Sequence, residues 1–257
     1  MNAYKFPTRT ELDRLGPYQA QEQLRQRMEQ FHDPSKIITF FDDFFVAPTD
    51  ENLFWHETDD GTTGTNAVTD GLGGLGTVVT AAADNDYHAI DSLNECFQLV
   101  SGKPLWFEAR FVVTDGTALE NTWWFGLTDT LTTGGMQANA LGPLASYDGI
   151  LIYKTPETAW TINMEASNAG VQLNSAAFAT GVSGTYIKVA FYYDGVTTIT
   201  PYYNVGGTAL MTAGASVEVP TSVATMAAMH VVAGIKAGPS DAVEKLTIDY
   251  IKVWQVR

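Results

Sequence analysis

Residues 244–256 alternate apolar and polar side chains as a long β-strand does. Leu246, Ile248 and Val253 belong to one apolar face, and charged residues fall on the other. The phase of the alternation is ambiguous only near Tyr250, where either Tyr250 or Ile251 belongs to the apolar face. A strand with one apolar face must pack against a core, so the pattern predicts a sheet that receives it.

About a dozen strands are predicted from residue 37 onward, with short turns between them and no long helical pattern. The small-residue tract 59–76 contains no predicted strand, and residues 209–228 are predicted to be a surface excursion. Short strands at this density predict two packed antiparallel sheets. The predicted strands are Ile37–Phe41, Phe44–Val46, Leu53–Glu57, Thr77–Ala81, Cys96–Val100, Leu105–Val113, Thr122–Leu127, Gly149–Lys154, Thr158–Met164, Tyr186–Asp194, Thr197–Tyr203, Met229–Ile235 and Lys245–Val256.

Residues 1–36 form a different unit, which is polar and predicted to be helical. Thr10–Asp13 has the character of a capping box, and Pro17 suits the first position of a helix that reaches Phe31. Leu24, Met28 and Phe31 lie on one thin apolar stripe of that helix. A helix of about 15 residues is marginal alone in water, so the stripe must dock, either on its own sandwich or on a neighbouring subunit. The predicted division is an arm at 1–36 and a sandwich at 37–257.

Composition describes a globular chain made without disulfides. The 257 residues are 45% hydrophobic and 17% charged, a length at which a β-sandwich can be one domain with a sizeable core. Cys96 is the single cysteine, which excludes an intrachain disulfide, and its apolar neighbours predict a buried thiol. Because no signal-peptide core and no stretch of about 20 apolar residues is present, we expect a soluble protein made in the cytoplasm.

The net charge of −15 is unevenly distributed. Six of the 14 basic and five of the 29 acidic residues lie in residues 1–36, which leaves eight basic and 24 acidic residues, a net charge of −16, in residues 37–257. An acidic body repels nucleic-acid backbones and anionic membranes, so neither is expected as a partner.

The strand Leu105–Val113, with its Phe-Glu-Ala-Arg core, and the final Ile-Asp-Tyr-Ile-Lys-Val-Trp-Gln strand resemble strands of the concanavalin A-like lectin/glucanase superfamily. The resemblance covers roughly residues 37–257. It implies an all-β jelly-roll sandwich of two antiparallel sheets, here preceded by the short α-helical arm. It specifies a fold better than a function.

Glucanases of this superfamily carry Glu-x-Asp-x-x-Glu on one strand, because a period of two points the carboxylates into one cleft. This motif is absent, and Glu11-Leu-Asp13 is the nearest fragment. Glu108 is expected to pair with Arg110 on the same strand face. Glu157 and Glu165 share a face but lie too far apart along one strand for a retaining pair. No enzymatic activity is therefore predicted.

Two binding sites are considered. Consecutive Trp123 and Trp124 face opposite sides of a strand, so one of them is a candidate for stacking on a sugar ring. Asp84 and Asp86, with Asp91 close behind, offer oxygen donors for calcium, although the same residues are also ordinary turn chemistry. The four histidines share no metal-ligand spacing, which argues against zinc.

These features resemble the non-catalytic concanavalin A-like domains of tailed-phage virions. The first hypothesis is a capsid decoration (cement) protein, assembled in the virion as a homo-oligomer and bound to the major capsid protein or another virion subunit through its arm. The alternatives are a carbohydrate-binding, lectin-like module, as in a phage fibre, and, third, a glycoside hydrolase or lyase. The predicted arm contacts are Leu12, Leu15, Leu24, Arg25, Met28 and Phe31.

Overall fold

The computed structural model describes residues 36–45, 48, 54–61, 64–71, 73–114, 120–129, 136–137, 142–155, 159–206, 210–239 and 242–257. Apart from Lys36, the predicted helical arm and its six contact residues lie outside this set. Over the described ranges the chain forms strands and turns, with one short 3-10 turn at Val223–Thr225. In these ranges no helix has the length and apolarity that a membrane crossing needs.

The strands are numbered in chain order. Their bounds are β1 (Ile37–Asp42), β2 (Trp55–Asp59), β3 (Thr65–Thr69), β4 (Leu75–Val79), β5 (Tyr87–Ser92), β6 (Leu105–Thr114), β7 (Thr122–Thr128), β8 (Gly149–Lys154), β9 (Thr161–Asn168), β10 (Val171–Asn174), β11 (Ala179–Thr180), β12 (Ile187–Tyr193), β13 (Thr198–Val205), β14 (Thr212–Ala213), β15 (Val217–Glu218), β16 (His230–Lys236) and β17 (Lys245–Val256).

The strands form two antiparallel sheets packed face to face, which confirms the predicted jelly-roll sandwich. The first sheet has the order β14-β13-β12-β6-β17-β4-β3, with β1 also paired to β17 and β15 to β13. The second sheet has the order β10-β9-β8-β7-β16-β5-β2, with β11 also paired to β9. The pairs at the centre of each sheet, such as β6 with β17 and β7 with β16, join strands that are far apart in sequence, so the core closes only when the whole sandwich assembles.

The core lies between the inner faces of the two sheets. Phe111 of the first sheet stacks on Phe125 of the second with ring centroids 4.3 Å apart, and its ring meets Trp123 edge-on at 4.7 Å. All three side chains are fully buried. Burying one large apolar side chain contributes roughly 1.5–3 kcal/mol, so this aromatic contact is one of the main interactions that hold the two sheets together.

β17 is the long strand that the sequence predicts, and its ambiguous phase has a structural cause. Its pairing register with β6 shifts between Ile248 and Tyr250, which is a β-bulge at Asp249. Ile248 and Ile251 are three residues apart, so in a regular strand they would lie on opposite faces. The extra residue of the bulge lets both of them face the core. The alternation in the sequence is therefore that of two half-strands joined by a bulge.

Three predictions about the strands are wrong. The tract 59–76 contains β3 and the start of β4, and β5 occupies residues interpreted as part of a calcium loop. Residues 96–100 form only isolated bridges, such as Phe97 with Met229. Cys96 is exposed, not buried, because Phe97 and Leu99 take the two inward positions and alternation turns Cys96 outward.

A fourth difference lies at the end of β1, where Phe44–Val46 is predicted to be a strand. Phe44 instead adopts a left-handed backbone with φ of 56° and is fully buried, with its ring stacked on Trp55 at 5.7 Å. Asp42 holds this turn, since its Oδ1 accepts a hydrogen bond from the Phe44 N–H at 2.7 Å and its Oδ2 accepts one from Trp55 Nε1 at 2.6 Å. One carboxylate thus ties the first sheet to the second.

Replacing this carboxylate is expected to weaken the sandwich. Asp42→Ala leaves the buried indole N–H of Trp55 without its acceptor, and losing hydrogen bonds to a charged group costs about 2 kcal/mol of unfolding free energy. Chemical denaturation followed by tryptophan fluorescence measures this loss. The control is Asp43→Ala, which removes a neighbouring, half-buried carboxylate. Equal stability of the two variants would contradict the assigned role of Asp42.

Candidate functional site

The outer face of the second sheet carries the polar residues that are candidates for function. One register row crosses seven strands in the order Asn174, Glu165, Leu151, Gly126, Val232, Asp91 and His56. Its two ends are polar and its centre is small or apolar. The next row contains Tyr153 and Trp124, which alternate with core residues of β8 and β7 and so also point outward.

Residues 129–148 connect β7 to β8, and the described part of this connection, which we call the cover segment, lies on the centre of this face. The structure describes its residues 129, 136–137 and 142–148. Met136 and Tyr147 of the cover segment form one buried apolar cluster with Trp124, Leu151 and Tyr153 of the sheet. The face is therefore a second small core, and not an open cleft, at the positions that the structure describes.

Side chains of the sheet hold the backbone of the cover segment. Lys236 Nζ donates to the carbonyl oxygens of Met136, at 2.9 Å, and Gln137, at 3.2 Å. Gln172 Nε2 donates to the Leu144 carbonyl oxygen at 2.6 Å. These two side chains come from β16 and β10, near opposite sides of the sheet, so the cover segment is anchored at both of its sides.

Glu165 is the centre of a buried polar cluster under the cover segment. Its Oε1 accepts a hydrogen bond from Tyr147 Oη at 3.0 Å, and only 4% of its surface is exposed. Tyr153 Oη, on β8, donates to Asn174 Oδ1, on β10, at 3.3 Å. Burial raises the pKa of the Glu165 carboxyl, and hydrogen bonds from Tyr147 and Asn174 oppose part of the rise.

The two tyrosines of this cluster stay protonated over the ordinary pH range. Burial, followed by the Glu165 charge, raises the pKa of Tyr147 and of Tyr153. Both hydroxyls therefore act as hydrogen-bond donors, to Glu165 and Asn174 respectively. The cluster fixes the cover segment on the sheet through one phenol and one carboxyl.

The opposite end of the register row carries a histidine–carboxylate cluster. His56 Nδ1 lies 3.0 Å from Asp91 Oδ1, and His230 Nδ1 lies 3.7 Å from Asp91 Oδ2. His230 Nε2 also lies 3.6 Å from Glu95 Oε1. The His56 side chain is 52% exposed whereas that of Asp91 is 6% exposed, so the cluster reaches from the sheet to solvent.

The predicted sugar-binding tryptophans face opposite sides of β7, as alternation requires. Trp123 lies in the core between the sheets, and Trp124 lies on the outer face, under the cover segment. Both are fully buried. Trp124 packs against Gly234, where a Cβ atom would clash with the indole ring. Stacking on a sugar stays a prediction for Trp124 and requires the cover segment to move.

The three aspartates considered for calcium point to different places. Asp86 is fully buried, and its Oδ2 accepts a hydrogen bond from the Ala81 N–H, whereas Asp84 is exposed and its Oδ1 accepts one from Asn85 Nδ2 at 2.9 Å. Asp91 lies on β5 and pairs with His56. Within the described residues, no group of three or more His, Cys, Asp or Glu side chains is arranged to hold a metal ion.

The carboxylates do not form a glycosidase pair on this face. The residues paired with Glu165 on the neighbouring strands are Leu151 and Asn174, and neither is acidic. The next carboxylate in the same row, Asp91, lies four strand spacings away, or about 19 Å. Retaining and inverting pairs need separations of about 5 to 9.5 Å. Glu157, the other predicted candidate, lies outside the described residues.

Glu108 and Arg110 share a strand face as predicted, but the structure gives them different partners. Glu108 accepts hydrogen bonds from Trp106 Nε1 at 3.2 Å and Tyr250 Oη at 2.6 Å. Arg110 pairs with Asp249 at the bulge of β17. The predicted pairing across one residue is wrong, because neighbouring β17 supplies partners for both side chains.

The sequence analysis missed Tyr147, Asn174 and Lys236. Lys236 comes from β16, which is distant in sequence, Tyr147 comes from the β7–β8 connection, and Asn174 pairs with Glu165 across the β9–β10 hairpin. One local signal was available. Asn163, Glu165 and Ser167 alternate with core residues of β9, which marks a polar face on that strand.

Comparisons with solved structures show that the jelly-roll sandwich fold of this chain is shared with a lectin and a glucanase. A protein of unknown function from Shewanella oneidensis aligns with a TM-score of 0.57 at 11% identity, over 99% of this chain and 97% of its own. Peanut lectin aligns with a TM-score of 0.56 at 13% identity, over 85% and 97%. An endo-1,3-beta-glucanase from Streptomyces sioyaensis aligns with a TM-score of 0.55 at 13% identity, over 86% and 97%.

At these identities the likeness shows a shared fold alone. No protein-family model matches the chain. No curated protein matches it either.

The buried Glu165 carboxyl is expected to make stability depend on pH. The folded protein holds this proton more tightly than the unfolded chain, so the free energy of unfolding falls as pH rises from the ordinary range of glutamate through the raised pKa. Glu165→Gln keeps an acceptor for Tyr147 and removes the titration. We expect this variant to melt at a higher temperature than wild type at neutral pH, and like wild type near pH 4.

Thermal melts across this pH range test the expectation. The control is Glu218→Gln, which removes an exposed carboxylate of β15 and is expected to leave the profile unchanged. If Glu165→Gln and wild type share one pH profile, the burial of the Glu165 carboxyl does not affect the free energy of unfolding.

Proposed function

We propose that this chain is a non-enzymatic structural protein of a virion, a capsid decoration (cement) protein of a tailed phage. Residues 1–36 dock on the shell or on a neighbouring subunit, and the sandwich is the displayed body. The observation that carries the proposal is the occupied outer face of the second sheet, where the protein's own cover segment takes the place of a ligand.

The occupied face argues against chemistry at that position. The Glu165 carboxyl accepts a hydrogen bond from Tyr147, and the two residues paired with Glu165, Leu151 and Asn174, supply no second carboxylate. A lone buried carboxyl that anchors a loop suits a structural role better than hydrolysis. The lack of a second carboxylate supports the proposal that the protein acts by assembling with other subunits through its exposed surfaces and termini.

Exposed phenylalanines favour contact with another protein. Phe45 is 74% exposed, Phe54 is 65% exposed and Phe41 is 60% exposed. Phe45 directly follows the left-handed Phe44 that closes β1 against Trp55. Large exposed aromatic side chains mark sites of protein–protein contact more often than sites of catalysis.

Charge distribution favours the arm as the docking element. Residues 37–257 carry a net charge of −16, so two sandwiches repel each other at short range, whereas residues 1–36 carry a net charge of +1. A nearly neutral segment approaches an acidic surface without that repulsion. The predicted apolar stripe supplies the anchors.

Removing the arm is expected to abolish assembly and leave the sandwich folded. Light scattering coupled to size exclusion is used to compare the mass of the full-length chain with that of a version starting at Ile37. We expect a defined homo-oligomer for the first and a monomer with native near-ultraviolet circular dichroism for the second.

A matched pair of full-length variants separates the apolar stripe from the rest of the arm. Leu24→Ser with Met28→Ser is expected to dissolve the oligomer, whereas Gln21→Ser with Gln26→Ser is expected to keep it. An arm-deleted chain that still forms the wild-type oligomer would refute docking through the arm.

A second candidate function is carbohydrate binding. The observation that favours it is the composition of the outer face of the second sheet, which Trp124 shares with the amide and carboxyl groups of Asn163, Asn174 and Glu165. Aromatic rings beside amides and carboxylates are the groups that sugars contact. The fold shared with peanut lectin agrees with this candidate.

A glycan array tests the second candidate, with and without a chelator. If sugar stacks on the outer face, Trp124→Phe is expected to weaken binding by roughly tenfold, the worth of about 1.4 kcal/mol, whereas Trp123→Phe in the core keeps it. A loss of binding in chelator would point to calcium. No binding across a broad array would reject this candidate and leave the structural proposal.

A further inference from the structure

Three fully buried polar residues meet at one end of the core. Asn121 directly precedes β7, Lys154 is the last residue of β8 and Glu244 directly precedes β17, and each is 0% exposed. Lys154 continues the inward phase of Ile150 and Ile152, so its side chain enters the sandwich. The Trp160 ring lies 5.5 Å from Lys154 Nζ. A lysine, an asparagine and a glutamate thus share an apolar, water-excluded site.

The contacts among these residues bring an amine to a side-chain amide. Lys154 Nζ donates a hydrogen bond to the backbone carbonyl oxygen of Asn121. The carbonyl oxygen and the side-chain Cγ of one residue are four bonds apart, which places them within about 3 to 4 Å of each other. The hydrogen bond therefore brings the amine into the neighbourhood of the amide carbon, and rotations within the Lys154 and Asn121 side chains close the remaining distance.

Glu244 approaches the same amide from the other sheet. Asn121 Nδ2 donates to Glu244 Oε2 at 3.1 Å, and the Asn121 Oδ1 atom is buried without a hydrogen-bond partner. A buried amide oxygen without a partner is costly, by about 1–3 kcal/mol. The contact holds the amide nitrogen against a carboxylate that can carry a proton.

We propose that Lys154 and Asn121 form an intramolecular isopeptide bond, with Glu244 as the proton carrier. The uncharged amine attacks Asn121 Cγ, the Nζ–Cγ bond forms and the Cγ–Nδ2 bond breaks. One Nζ proton passes through Glu244 to Nδ2, which leaves as ammonia, and the other stays on the new amide. The reaction needs no oxidant, metal or cofactor.

The bond joins residues 33 positions apart and covalently closes the loop that contains the cover segment. It fastens the start of β7 to the end of β8, the two strands that this loop connects. A crosslink that shortens the unfolded chain stabilises the fold as a disulfide does. The chain contains one cysteine, so no intrachain disulfide supplies this stabilisation.

The test is the intact mass of the purified full-length protein. We expect a mass about 17 Da below that calculated from the sequence, which corresponds to one lost ammonia. Proteolysis is expected to yield one branched peptide that joins the segment containing Asn121 to the segment containing Lys154. Lys154→Arg and Glu244→Gln are expected to show the calculated mass, and the control Lys188→Arg, on the outer face of β12, keeps the loss.

Two results would overturn the proposal. A wild-type mass equal to the calculated mass after prolonged incubation at 37 °C means that the three residues form only a hydrogen-bonded network. A loss of ammonia that persists in Lys154→Arg, with linear peptides only, means that an asparagine has cyclised on its own backbone. If Lys154→Arg does not fold, the wild-type protein alone tests the proposal. A branched peptide that joins Asn121 to Lys154 supports it, and the absence of this peptide refutes it.

Discussion

The pairing of β17 with three other strands is the interaction on which the sandwich depends. β17 bonds to β6 along one edge, and on its other edge β4 and β1 follow each other. The bulge at Asp249 keeps Ile248 and Ile251 on the core side of both halves. Without the bulge, one half of the strand would turn its apolar residues to solvent, because a slip of one residue exchanges the two faces of a strand.

The outer face of the second sheet is apolar at its centre, as the inner face of that sheet is. Trp124, Leu151 and Val232 would form an exposed patch if the cover segment were absent. Burying them demands partners for the backbone groups of the cover segment, and Lys236 and Gln172 supply these. The cover segment therefore stabilises the second sheet, and it leaves no open cleft on this face at the positions that the structure describes.

The strands were predictable from sequence where one face is apolar, and the site was not. The alternation of β6 and β17 predicted two packed sheets, and the doubtful phase at Tyr250 marked the bulge. β5 was missed because its aspartate and histidine resemble loop chemistry, although the strand is buried on both faces. Lys236 meets the cover segment only because β16 pairs with β7, and this pairing joins distant residues in a way that local pattern does not encode.

Buried polar residues of this protein are explained best by what they connect. Asp42 joins β1 to Trp55 of the other sheet, Glu165 joins β9 to the cover segment, and Asn121 lies between Lys154 and Glu244 of opposite sheets. Each group loses its contact with water on folding, and its hydrogen bonds fix one relative arrangement of the two elements that it joins. Residues of this kind are placed at the junctions that hydrophobic packing leaves least defined.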